Sequence, residues 1–472
     1  MASPPRSREL AALLVQLRLG DLPPQAVHLL KMCVLDHFGC AIGALGTEAG
    51  MAAIRAARLN RGGPCAVIGS GLRTNPETAA LINAVLSHVL VFDDLHRQAK
   101  LHPGVAVIPA ALAAAERGQV AGSVFLTAVA AGYEAAARTG VAIGMAGHRA
   151  RGWRATGTCG SFGAAAAAAV VMAADADVMH DALALAAAQA SGNWAFAASG
   201  GMELYFAAGT AARNGVTAAA LASCGFRGAA DPLESPDGGF FTMTSGGQRL
   251  EVLNQPFPGV LRLADTCIKM YPTCHSTQTA LDAVLNLRKR HALAPAMIER
   301  IVVRAGQITL DQCGWPFEPG PPSRMIFHMG YALAVALKRG KVRPADFEAA
   351  ALRDAELQRI ARATEVVVDP ELTAIYEQRK PCDVTLHLRD GRVFNERVDF
   401  CSGEPENPVT DAAVIDKFFD LTQGHLARDV GEKIIEFVLD IERQPEVSSL
   451  CNLLIAPGTA GHSFEGDLRA AK

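Results

Sequence analysis

The chain has 472 residues, more than a single core of about 250 to 300 residues accommodates, so at least two domains are expected. With 44 basic and 47 acidic residues the formal charge is -3, which gives no electrostatic reason to expect a nucleic-acid partner. Half of the residues are hydrophobic but only 6% are aromatic, so Ala, Leu and Val must fill the interior, and that favours closely packed helices.

The N-terminal stretch MASPPRSRELAALLVQLRLGDLPP has basic residues but no uninterrupted apolar core with a small-residue cleavage site, so a cytoplasmic protein is expected. From about Glu9 to Ala222, apolar residues recur at helical spacing between Gly- and Pro-bearing turns such as Gly62-Gly63-Pro64 and His102-Pro103-Gly104, which predicts an all-helical first half. Within it the alanine run Ala164 to Ala169 predicts a helix with almost no side-chain bulk, approachable on every side and therefore central. The longest uncharged stretch, Ala182 to Met202, matches a membrane span in length. Its Ala, Gly, Ser, Asn and Gln content leaves little drive into lipid, so no membrane association is expected.

The pattern changes near Pro256. Lys269 to Leu287 reads as a loop entering a helix, Ile301 to Ala305 as a strand, and Asp383 to Phe400 as two strands around the Arg389-Asp390-Gly391 corner. Thr410 is placed to cap a helix beginning at Asp411, and Val414 to Leu439 returns to helical spacing. The expected organisation is a helical domain over 1–266, a smaller α+β domain over 267–400, and a return to the helical domain over 401–472, with fraying from about Pro457. The fold class is thus mainly α. The eleven cysteines, scattered from Cys33 to Cys451, form no C-x-x-C pair and read as reduced, buried thiols.

The densest chemistry is Phe92-Asp93-Asp94-Leu95-His96 followed by Leu101-His102-Pro103-Gly104, two carboxylates and two imidazoles within ten residues. Carboxylates beside histidines orient the imidazole and move its pKa toward the range where it serves as a general acid or base. The competing reading is an Asp capping the next helix within a solvated loop. Metal ligation is disfavoured, because His96 and His102 stand six apart and match no common zinc spacing. Lys269 and His275 lie in a proline turn before an apolar helix, a place that suits an anionic ligand. Arg154 and Thr156 stand in a glycine-punctuated loop leading into the alanine helix and resemble an anion cradle. This loop matches neither a Walker loop nor G-x-G-x-x-G. Before another apolar helix, His328 and Tyr331 offer a polar pair, with Tyr331 read equally as a proton donor or as core filling. No G-x-S-x-G elbow is present, so covalent catalysis is not indicated.

Several ordered segments resemble the MmgE/PrpD family of 2-methylcitrate dehydratases, cis-aconitate decarboxylases and iminodisuccinate epimerase. They are VLDHFGCAIGA (34–44), FDDLH with LHPGVAVIPAALAAAE (92–116), AAGYEAAARTG (130–140), ATGTCGSFGAAAAAA (155–169), KMYPTCHSTQTALDAV (269–284), FHMGYALAVAL (327–337) and CSGEPENPVTDAAVIDKF (401–418). The resemblance implies a large helical domain built from both chain ends, an inserted chorismate mutase-like α+β domain, a site between them and a homodimer. It also implies neither metal nor organic cofactor. His102, Lys269 and Tyr331 correspond to family active-site positions, and Asp93 with Asp94 lines the same pocket.

Departures from the family pattern are equally specific. Arg154 stands where a histidine is typical, Leu204 to Gly209 lacks the usual lysine and histidine, Gln278 replaces a common histidine, and His328 replaces a small residue. The expected function is therefore a cofactor-independent lyase, a dehydratase or decarboxylase, acting on a small di- or tricarboxylate other than the family's usual ones. In it His102, Lys269, Tyr331, Asp93 and Asp94 would be catalytic, and His96, Arg154, Thr156, His275 and His328 would bind substrate. An epimerase or isomerase of an iminodisuccinate-like carboxylate is the alternative, and a non-catalytic binding protein the second.

Overall fold

A computed structural model describes residues 4–455, apart from 246, 247, 258 and 377. The fraying expected from Pro457 lies outside the described residues. The fold is mainly α, and its long helices come first: α1 (Pro24–Gly43), α2 (Pro76–His88), α3 (Gly104–Ala115), α4 (Gly122–Ala142), α5 (Ala155–Val171), α6 (Ala176–Gln189) and α7 (Glu203–Ser223).

The alanine helix α5 is central, packed against α3, α4, α6 and α7, and Ala164 to Ala169 are fully buried. Small residues make this contact possible. A Cβ on Gly163 would stand 2.7 Å from the Gly132 carbonyl oxygen of α4, and one on Gly215 of α7 would stand 2.3 Å from the Ala164 Cβ. Both distances are below any real Cβ contact, so even Gly→Ala would push α4 or α7 away from α5.

The first half is not all-helical. A hairpin of β1 (Arg61–Val67) and β2 (Leu72–Thr74) interrupts it, with a register shift between Arg61 and Cys65. Gly62-Gly63-Pro64, expected to be a turn, lies inside β1. Gly63 adopts φ +154°, where a Cβ would meet the Thr74 carbonyl oxygen at 2.3 Å, so the glycine permits a bulged strand rather than ending one. The uncharged stretch 182–202 is broken after α6 into a loop and a single helical turn, Phe196–Ser199. Among the described residues one helix, α1, is long and apolar enough to cross a membrane, and most of it is buried against the rest of the protein.

Two short strands, β3 (Leu95–His96) and β4 (Thr266–Cys267), pair antiparallel and tie the loop after α2 to the start of the second segment. That segment carries α8 (Gln278–His291), α9 (Met329–Arg339) and α10 (Ala355–Arg362). Its sheet runs β6-β5-β7-β8, from β5 (Ile298–Ala305), β6 (Thr364–Val368), β7 (Cys382–Leu388) and β8 (Val393–Val398). The β5–β6 pair is parallel and the other two are antiparallel, with Ile301 opposite Leu386. Cys382, Val384, Leu386 and Leu388 point alternately inward, and α8 packs against β7 and β8, which explains the clean alternation of β7. Thr410 caps α11 (Asp411–Thr422) by accepting the Ala413 N–H, and α11 packs on α1, returning the chain to the helical body.

Candidate active site

The chain between α2 and α3 makes a bend whose carbonyls are held by buried cations. Val91 adopts φ +49°, a left-handed conformation that costs a β-branched residue on the order of 1–3 kcal/mol. Its carbonyl is turned onto the Lys269 ammonium, which also donates to the Thr273 carbonyl at 3.1 Å. Lys417 of α11 donates to the carbonyls of Phe92 (2.7 Å) and Lys269 (2.8 Å) while forming a 2.5 Å ion pair with Asp36 of α1. Three segments distant in sequence thus converge on one bend. Burial lowers the Lys269 pKa from its ordinary value, against the pull of Asp93.

The bend presents Asp93 to two imidazoles. Its Oδ1 lies 2.9 Å from His88 Nδ1 and its Oδ2 lies 2.6 Å from His102 Nδ1. Arg154 closes the chain at its other end, donating from Nη2 to His88 Nε2 at 2.6 Å. Because Nε2 of His88 must accept this bond, Nδ1 carries the proton and donates to Asp93. The same carboxylate, in ion-pair contact with His102 Nδ1 rather than in hydrogen-bonding geometry, favours a proton on that nitrogen and leaves Nε2 of His102 as a base. Burial pushes the His102 imidazole down to about 3 despite Asp93, so it is neutral near pH 7. Burial opposes ionisation of Asp93, yet His88 and His102 hold its carboxyl well below the usual carboxylate range. Thr156 fixes the base further by accepting the backbone N–H of His102 at 3.3 Å.

A cavity of about 430 Å³ opens beside this chain, a size that suits a small organic acid. His102, Arg154 and Thr156 line it from the helical body, and Cys274, His275, Gln312 and Lys380 line it from the second segment. Arg154 is 4% exposed, and its Nη1 has no hydrogen-bond partner among the described residues. Burial lowers Arg154 to about 10, so it keeps its charge. A buried guanidinium with a free arm beside a neutral imidazole base is arranged to hold a carboxylate next to a point of proton transfer.

The other residues expected from the sequence stand elsewhere. Lys269 does not line the cavity but braces the bend behind it. Asp94 serves the helix: Oδ1 accepts the Gly104 N–H at 3.1 Å at the start of α3, and Oδ2 accepts the Tyr133 hydroxyl. His96 is satisfied on both nitrogens, by the Arg262 carbonyl (2.9 Å) and the Ala99 N–H (3.1 Å), and holds the β3–β4 junction. His328 caps α9, its Nδ1 accepting the Tyr331 N–H at 3.0 Å. Tyr331 donates to the Asp346 carbonyl at 2.9 Å and stacks on Phe317, away from the cavity. The sequence reading missed His88, Asp36, Lys417 and Lys380. His88 had a faint signal, an imidazole in the last turn of a helix just before an acidic pair. Nothing local marks the others.

Asp94 gives a pH signature. Burial raises its carboxyl to about 7 from 3.8, so the unfolded chain loses this proton first. Its contribution to stability is full at low pH and is lost as pH rises from about 4 through about 7, by an order of a few kcal/mol. Urea unfolding at the two ends of that window should show Asp94→Asn losing less stability with rising pH than the parent. Parallel pH curves for the two proteins would refute this.

Two buried trios, His88–Asp93–His102 and His275–Cys401–Glu404, bring potential metal-ligand atoms within 4.8 Å of one another. In each a cation already occupies one imidazole nitrogen, Arg154 on His88 and Lys380 on His275, which opposes a further positive ion. His96 and His102 do not converge, since the His96 ring faces Arg262.

Comparison with known proteins matches residues 8–253 to the MmgE/PrpD N-terminal domain and residues 271–443 to the MmgE/PrpD C-terminal domain. A cis-aconitate decarboxylase of Aspergillus terreus (strain NIH 2624 / FGSC A1156) is 28% identical over 469 residues, covering 93% of this chain and 94% of that protein. The human cis-aconitate decarboxylase is 25% identical over 454 residues, covering 93% and 92%. A 2-methylcitrate dehydratase of Escherichia coli (strain K12) is 26% identical over 204 residues, covering 41% of each. Two domain models matched in order along one chain, with similarity over 93% of its length, make this protein a member of the MmgE/PrpD family.

Proposed function

We propose that the protein is a cofactor-independent lyase that removes water or carbon dioxide from a small di- or tricarboxylate. The observation that carries the reading is a base and an anion anchor on one cavity: His102 Nε2, set by Asp93, and Arg154 with an unpaired Nη1. For loss of water His102 takes a proton from the carbon next to a carboxylate, and for loss of carbon dioxide the carbon–carbon bond breaks with its electron pair left on carbon; in either case Arg154 neutralises the enolate-like charge that develops on the adjacent carboxylate. The full-length relatives are named as decarboxylases and the partial one as a dehydratase, which supports a lyase over other acid/base chemistry. On this reading the segment 267–400 is an inserted, chorismate mutase-like domain that supplies the rest of the cavity lining, while the described residues of 1–266 and 401–472 form the helical domain.

Arg154 in place of the family's usual histidine puts a permanent charge where a titratable one is expected, which favours a substrate with an additional carboxylate near the reacting carbon. An epimerase remains the competing reading, since it needs the same base. Unsaturated and hydroxylated di- and tricarboxylates incubated with the protein in deuterated buffer separate the two, followed by NMR. Loss of substrate with appearance of an alkene or carbon dioxide supports the lyase. Deuterium wash-in without net conversion would overturn it.

A further inference from the structure

The arrangement Arg154–His88–Asp93 has a counterpart in another part of the cavity lining. Lys380 Nζ lies 3.0 Å from His275 Nδ1, and His275 Nε2 lies 3.5 Å from Glu404 Oε1 and 3.7 Å from Cys401 Sγ. The order is again cation, imidazole, carboxylate. An ammonium has only donors, so Nδ1 of His275 accepts from it, and Nε2 carries the proton, hydrogen-bonding Cys401 Sγ with the Glu404 carboxylate beside it. Glu404 is 1% exposed and its carboxylate accepts no hydrogen bond from the described residues, with Arg97 3.6 Å from its Oε2. Lys380 is 6% exposed, its ammonium 5.6 Å from the Tyr376 ring centroid, and both it and His275 line the cavity that His102 lines. This chain differs from the first in its cation. Arginine cannot give up a proton near neutral pH, whereas a buried lysine can.

Building on the lyase reading, we propose that Lys380 is the proton donor that complements the His102 base, held in place by His275 and Glu404 as positioning residues. If a carbon–oxygen bond breaks, the carbon–hydrogen pair left by the proton taken to His102 forms the double bond, and the departing hydroxyl takes a proton from Nζ and leaves as water. If a carboxylate leaves as carbon dioxide, the electron pair remaining on carbon takes the Nζ proton instead. In the dehydration branch His102 then gives the proton it took to solvent, in either branch solvent returns a proton to Nζ through the cavity mouth, and no oxidant or reductant is required.

The groups facing the amine are His275, Glu404 and Tyr376, with the thiols of Cys267, Cys274 and Cys401. Burial lowers the Lys380 pKa from its ordinary value, and Glu404 opposes the shift. Competitive acetylation of the whole protein over a range of pH, read by peptide mass spectrometry, tests this without a substrate. Lys380 should reach half-reaction at lower pH than the exposed Lys433. Glu404→Gln should move it lower still, and added succinate should protect it. Titration together with Lys433, no response to Glu404→Gln, or no labelling at any pH would each overturn the proposal.

Turnover provides the second readout. Lys380→Gln should lower kcat about 10²-fold with KM little changed, and added methylamine should restore part of it. Unchanged kcat would overturn the donor role. A parent protein that converts no carboxylate would instead count against the lyase reading, while the labelling still decides whether Lys380 is a tuned amine open to the cavity.

Discussion

Replacing His102 with glutamine should lower kcat/KM by about 10²–10⁴-fold, the range for losing a positioned general base, with the fold and thermal midpoint little changed. The reason is geometric. His102 is the imidazole that both reaches the cavity and touches Asp93, while His88 uses its two nitrogens on Arg154 and Asp93. Because burial holds His102 near 3, the base is already deprotonated across the neutral range. Its protonation should not limit kcat/KM between pH 6 and 8, roughly the range where an unperturbed imidazole would titrate. Asp93→Asn should give a comparable loss, since an amide can donate to the His102 ring and reverse which nitrogen carries the proton. Steady-state kinetics over pH check both. Retention of more than about a tenth of the activity by His102→Gln would exclude it as the base.

Substituting Arg154 with methionine should weaken carboxylate binding by about 10²-fold or more, because truncating one partner of a buried, hydrogen-bonded charge group costs about 2–5 kcal/mol. Two functions end together. The free Nη1 arm is lost to the ligand, and Nη2 no longer holds His88 Nε2, so the imidazole that orients Asp93 can turn over. Arg154→Lys should recover little, since an ammonium on a shorter stem cannot serve both positions in one plane. Calorimetric titration with succinate measures the affinity, and equal affinity in parent and Arg154→Met would refute the anchor role. These two variants separate cleanly in principle: the His102 change acts on kcat, and the Arg154 change acts first on binding.

Much of the local structure was legible from short-range pattern. Thr410 marked the start of α11 because its hydroxyl can reach only the N–H groups of the first turn. The Arg389-Asp390-Gly391 corner marked the β7–β8 hairpin through a glycine at φ +87°. Gly62-Gly63-Pro64 misled, because the same residues that break helices also permit a bulged strand. At the site, the acidic and imidazole groups from Asp93 to His102 were visible as a cluster. Their division of labour was not. The two aspartates are adjacent and chemically identical, yet Asp93 faces two imidazoles and Asp94 faces a helix start and Tyr133.

By itself the sequence determined that this protein is mainly helical, that its alanine helix is central, and that acid/base groups gather around 93–102, since propensity, spacing and capping act over a few residues. Tertiary structure decided which of those groups meet substrate space. The bend at Val91 exists because Lys269 and Lys417, about 180 and 325 residues away, capture its carbonyls. Arg154 and His88 become partners only when α3 and α7 pack against both α5 and α2, and Lys380 reaches His275 only through the folding of the second segment. Such pairings depend on burial, which makes an unpaired charge too costly to tolerate, and burial is a property of the whole packed molecule rather than of any stretch of it.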